Sequence, residues 1–387
     1  MHSLLKFLAV PALALSAYAV ASGGYRHTSI EIDLPVSTQG PLWPPSEMVN
    51  ADGDFILIGN ALLANDEGQI GMVPNQAVLV SKDTIPPLDE NGVEDPDNWF
   101  GAPYKVIREL DLSEGSADMN QMLYANSFGP VAGSGGTPRI PREGESAYNL
   151  NKDFAVCRDV FPTDSQVTGF YRDRLPLHEV PILGFQGDNV AYDANTGEAY
   201  DPQLATSDPA CAAFGCPGED AVDERDSDAI TLKDWVKSEG KLKIRLTNKN
   251  EDGDFTSARF KFRLKSMLPN SLYTVWVVRG RQIPVPGVYE RRDIDAIATQ
   301  NLLMTDANGN AKGIFDVNNP FPAAETDFTG RRIVGLSVVY HSDMQTWGGC
   351  FSRLGPGVDV HVVFNTLNSE ADGPGLPDFT DFVTVAR

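Results

Sequence analysis

"KLKIRLTNKNEDGDFTSARFKFRLK", Lys241 to Lys265, decides the fold. Charged and apolar residues alternate with period two at both ends, the mark of strands with one buried and one wet face. Asp252-Gly253 between them is a hairpin turn signal. Leu242, Ile244 and Leu246 share a core with Phe260, Phe262 and Leu264 only in a register that an odd-length loop provides, as in a hairpin whose turn carries a bulge. That register sets Lys241, Lys243 and Arg245 opposite Arg263, Lys261 and Arg259. Like charges directly opposed across strands destabilise a sheet by a few tenths of a kcal/mol or more per pair. Solvent ions, a polyanion or an acidic part of the same chain must offset them.

Such an acidic part exists. The 387-residue chain has a formal charge of −22. From Asp228 to Arg387, 19 Lys and Arg balance 19 Asp and Glu. With Lys6 set aside, 11 basic and 34 acidic residues remain between Ser22 and Ser227, a net of −23. So abrupt a shift marks a domain boundary. Residues 22–227 are expected to form an acidic, loop-rich β domain, and residues 228–387 a second domain. The deficit of clustered Lys and Arg in the chain as a whole argues against nucleic acid as partner. Docking of the acidic half on the basic hairpin face would explain both sides of the asymmetry.

Around the hairpin, further strands follow at short spacing: "SLYTVWVVRG" from Ser271, "NLLMTD" from Asn301, "NAKGIFDV" from Asn310, "RRIVGLSVVYH" from Arg331, "VDVHVVFN" from Val358 and "DFVTVAR" at the end. Turn residues punctuate the gaps. The pattern predicts a mainly β protein whose carboxy-terminal domain is an antiparallel β-sandwich, jelly-roll-like. "ERRDIDAIATQ" from Glu290 reads as a short helix, with Asp293 and Asp295 in its first turn. In the acidic half, "DFILIGNALLAN" from Asp54, "QAVLVSKD" from Gln76 and "PYKVIRELDL" from Pro103 are strand-like, whereas "GPVAGSGGTPRIPREGES" from Gly129 has loop composition.

Residues 1–21 read as a signal peptide: Lys6, an apolar run from Phe7, then "AYA" and "AVA" cleavage patterns. No later segment is long enough to span a bilayer as a helix. The mature chain is therefore expected in the periplasm or outside the cell. Four cysteines fit an oxidising compartment. Three connectivities are open, with Cys211–Cys216 and Cys157–Cys350 preferred as structural disulfides over a redox pair.

The runs "ITLKDWVKSEGKLKIRL", "LPNSLYTVWVV", "DANGNAKG", "VVYHSD" and "VHVVF" resemble a module of exported bacterial proteins with TLxDW, YTxW and YHSD motifs and no assigned activity. The resemblance covers residues 228–365. It implies a β module and carries over no catalytic residues.

Candidate chemistry gathers at "VVYHSDMQTWGGC" and "VDVHVVFN". If their strands pair, His341 and His361 come near one loop base together with Asp343 and Asp359, a donor set for zinc or copper. The competing reading has these side chains hydrogen-bonding the turning backbone. Trp347 in the loop, with Tyr340 beside it, is a candidate for stacking on a sugar ring. Ser342, His361 and Asp343 could be assembled into a nucleophilic triad, although no GxSxG elbow is present. Asp- and Gly-rich turns at Asn50, Asn250 and Asp306 resemble pieces of calcium loops, and read more simply as hairpin turns. The expectation is an exported, non-catalytic binding or structural module. Metal-binding protein or metal-dependent enzyme, and polysaccharide binder at a cell surface, are the alternatives. No cofactor is specified, and enzymatic activity is left open.

Overall fold

The computed structural model describes residues 28–40, 42–92, 102–125, 176–179, 191–192, 199–200, 229–282, 289–297, 302–322, 332–342, 360–366 and 382–385. The protein is mainly β, and its sheets are antiparallel. Cys157, Cys211, Cys216 and Cys350 lie outside the described residues, as do residues 1–21, Asp343, Trp347 and Asp359. No helix among the described residues is long and apolar enough to cross a membrane.

The hairpin is built as its alternation requires. Strands β9 (Glu239–Lys249) and β10 (Phe255–Lys265) flank a five-residue loop, and pair Lys243 with Lys261, Arg245 with Arg259 and Lys241 with Arg263. Leu242, Ile244, Phe260 and Phe262 are fully buried on the other face. Two more strands complete this sheet. On one side β1 (Ser29–Leu34) pairs with β9, and on the other β14 (Ala311–Asn318) pairs with β10. β1 comes from the acidic half, and it sets Glu31 beside Lys243 and Asp33 beside Lys241.

A second sheet runs β12 (Tyr289–Ala296), β11 (Leu272–Gln282), β15 (Arg332–His341) and β16 (Val360–Asn365), with β13 (Leu302–Met304) also on β11. Tyr273, Val275, Val277, Leu336, Val338 and Phe364 meet the apolar face of the first sheet in one hydrophobic cluster, two sheets across a shared core. A third sheet, β5 (Val106–Glu109), β4 (Ile70–Val80), β3 (Phe55–Ala64), β2 (Met48–Val49) and β6 (Tyr124–Ala125), adds Met48, Ile56, Leu79 and Ala125 to that cluster. Its other face buries Trp43, Leu57, Leu62 and Tyr104. A small pair, β7 (Ala191–Tyr192) and β8 (Ala199–Tyr200), stands apart.

Three local features depart from expectation. "ERRDIDA" is strand β12 and not a helix, because its backbone completes the ladder of β11 from Trp276 to Gln282. Within the final segment, residues 382–385 form no strand either. They are tied by one parallel bridge between Pro322 and Thr384, by Val385 N–H to the Phe255 carbonyl, and by buried Arg332, which donates to the Phe382 carbonyl. Third, "LKDWV" is a one-turn helix, α1 (Leu232–Val236), with a capping box: Thr231 accepts from Asp234 N–H, and the Asp234 carboxylate accepts from Thr231 N–H.

The Asn50, Asn250 and Asp306 turns share one construction with a fourth, at Asn65. In each, the leading side-chain oxygen accepts from the backbone N–H four residues on, and at Asn50, Asn65 and Asp306 also from the N–H two residues on. A glycine three residues after the first has positive φ, 91° at Gly53 and 72° at Gly309. These oxygens serve the turn itself, which is the hairpin reading.

Candidate functional site

Tyr340 pairs with His361 and His341 with Val360 across β15 and β16. Successive residues of a strand point to opposite faces, so the two imidazoles leave the sheet in opposite directions. Their partners agree. On one face, His341 Nε2 is 2.7 Å from Thr274 Oγ1, which also accepts from Trp276 Nε1 at 2.7 Å. On the other, His361 stacks 6.1 Å from Tyr340 and touches Ser342 and Glu47. The expected pair of imidazoles sharing one ion is thus corrected: the rings are separated by the sheet itself. Among the described residues no group of three or more His, Cys, Asp and Glu is placed to hold a metal.

Tyr340 is also corrected as a ligand contact. It is fully buried, with ring centroids 5.8 Å from Trp235 and 5.4 Å from Tyr273, and presents no surface to a sugar.

The His361 face holds a compact group of buried polar residues. His361 Nδ1 is 3.2 Å from the Glu47 main-chain carbonyl. A carbonyl only accepts, so Nδ1 carries the proton. In the neutral ring Nε2 is then an acceptor, and Ser342 Oγ donates to it across 3.1 Å. Hydroxyl, imidazole and orienting acceptor follow in the order of a nucleophile and its base, but with a peptide oxygen in place of a carboxylate. All three residues are buried.

The Glu47 carboxyl has a separate task. Oε2 accepts a short hydrogen bond from Val362 N–H on β16. Oε1 has no hydrogen-bond partner among the described residues and abuts Gly40, where an added Cβ would collide with it. Burial pushes the carboxyl up to about 8, and the Val362 N–H only partly opposes this. It is therefore uncharged at neutral pH.

Ser37, Thr38, Gln39 and Ser46 surround this group with buried polar side chains that sequence reasoning missed. Ser37 N–H donates to Val363 O on β16, and its carbonyl accepts from Trp235 Nε1 at 2.7 Å. Thr38 Oγ1 donates to Ile56 O and accepts from Ile58 N–H on β3. Gln39 exchanges hydrogen bonds with the Asn60 backbone through both ends of its amide. Ser, Thr, Gln and Glu in "STQGPLWPPSE" carry no hydrophobic period and read as exposed loop. The usable signal was their density beside an otherwise apolar run of strands.

No protein-family model, curated protein or solved structure matches the chain.

Proposed function

We propose that the protein is an exported, non-catalytic module that acts by binding or by structural support, and that the Glu47–His361–Ser342 cluster is a fastener between sheets. The observation that carries this reading is the complete burial of His361 with both ring nitrogens engaged, one by Ser342 and one by the Glu47 carbonyl. A nucleophile and its base must be reached by a substrate, and Ser342 and His361 are both fully buried. The resemblance to exported modules without assigned activity is in keeping with it.

The Ser342–His361 contact is also what favours a second reading, a serine nucleophile. Treatment of the full chain with a fluorophosphonate probe separates the two. No labelling that depends on Ser342 is expected, and Ser342→Ala should lower unfolding stability by about 1–3 kcal/mol, because it strands a buried acceptor. Stoichiometric labelling lost in Ser342→Ala would replace the fastener by a catalytic site.

A further inference from the structure

The exposed face of the four-stranded sheet is charged in a definite pattern. Register aligns three rows across it: Asp33, Lys241, Arg263 and Lys312; Glu31, Lys243, Lys261 and Ile314; Ser29, Arg245, Arg259 and Asp316. The outer strands supply three carboxylates, Glu31 and Asp33 on β1 and Asp316 on β14, and one further cation, Lys312 on β14. Lys241 Nζ lies 3.3 Å from Asp33, and Arg259 makes a two-bonded pair with Asp316 at 2.8 Å. The middle is different. Lys243, Arg245, Lys261 and Arg263 make no ion pair among the described residues, although like charges face one another there. The acidic half reaches this face through β1 alone among the described strands, at its edge.

What remains is a cationic stripe two strands wide. Strands stand about 4.8 Å apart, and same-face residues on one strand about 6.7 Å apart, so six cations form a lattice about 13 Å long. Glu31 and Asp33 at one rim and Asp316 at a corner of the other favour an anionic occupant that runs along β9 and β10. The three rows contain no aromatic ring on which a base could stack. A duplex, wider than the stripe, would meet the rim carboxylates.

We propose that this stripe binds a linear acidic polysaccharide, its carboxylate or sulfate groups lying along β9 and β10. The inference names a ligand class for the binding reading above and rests on it. Its failure is distinguishable, since that reading is tested by reactivity at Ser342.

The test measures binding of the full chain to heparin and to polygalacturonate at low salt, with single-stranded DNA as comparison. Wild type should bind at least one of the two polysaccharides and prefer it to DNA. The triple variant Lys243→Gln, Lys261→Gln, Arg263→Gln should bind at least tenfold more weakly. Its slope of log affinity against log salt should be shallower by about 2. Lys233→Gln, on α1 and off the face, should change nothing. The triple variant removes opposed charges, so its unfolding midpoint should equal or exceed that of wild type, which keeps loss of binding from being loss of fold. Neither polysaccharide bound at low salt, equal binding by the triple variant, or DNA bound as tightly as polysaccharide would overturn the proposal. Salt-sensitive self-association in place of polymer binding would overturn it in favour of a second copy of the chain.

Discussion

At Glu47 a carboxyl group stands where a neighbouring strand's carbonyl would ordinarily accept the Val362 N–H. The position is covered on the other side by Gly40, so no water reaches the second oxygen without displacing the chain. Desolvation then dominates, and the folded carboxyl holds its proton up to about pH 8, against an ordinary value of 4.5. The unfolded chain releases that proton above about pH 4.5, the folded one only near 8. Stability contributed by this site is therefore full below about 4.5 and declines as pH rises to about 8, at up to about 1.4 kcal/mol per pH unit. Glu47→Gln retains an acceptor for Val362 and cannot ionise. Urea unfolding of the variant should show a shallower decline than wild type between pH 5 and 8, with the variant less stable at pH 5 because an amide N–H₂ now faces Gly40. Identical slopes in the two proteins would place the titration elsewhere.

Among the elements, the β9–β10 hairpin was legible because two independent patterns agree on it: alternation fixes the faces, and Asn-Glu-Asp-Gly-Asp fixes the loop. Strand β12 was not, because "ERRDIDA" lacks a decisive period and is a strand by virtue of the β11 edge beside it. Helix α1 was overlooked for the opposite reason. Five residues are too few to show a period, and only the Thr231–Asp234 capping box announces it. The hairpin also yields an electrostatic prediction. Lys261 faces Lys243 on one side and Ile314 on the other. Lys261→Glu turns a like-charged cross-strand pair into an opposite one and creates no new repulsion from β14. It should stabilise the protein by a few tenths of a kcal/mol up to about 1. The gain should be visible in low-salt unfolding and shrink at high salt. A lower unfolding midpoint at low salt would mean that the face is already neutralised.

Across the whole molecule, one short stretch visits every major sheet. β1 completes the first sheet through Ser29–Leu34. Val36 then bridges to Phe364, while Pro35 O and Ser37 N–H bond Asn365 and Val363, which covers the edge of β16. Thr38 joins β3 directly after. Sheet edges left open invite pairing with other chains, and here a single segment covers β9 in the first sheet and β16 in the second while it pins the third. The β1 part carries a period-two pattern, Ile30, Ile32 and Leu34 between Glu31 and Asp33, but Pro35–Gln39 has neither period nor turn signature, and its value lies in where its backbone groups point. The arrangement makes graded truncation informative. Removing residues through Leu34 uncovers β9 and exposes the surface that Ile32 and Leu34 cover. Removing residues through Gln39 in addition frees the β16 edge and the Thr38 bonds to β3. Hydrogen exchange should show the first truncation raising exchange chiefly along β9. The longer one should raise it together along β9, β16 and β3, with salt-insensitive aggregation through the open edges. If β16 and β3 kept their protection after removal of Gln39, the sheets would be held to one another by the shared core alone, and the segment would be a covering strap with no part in joining them.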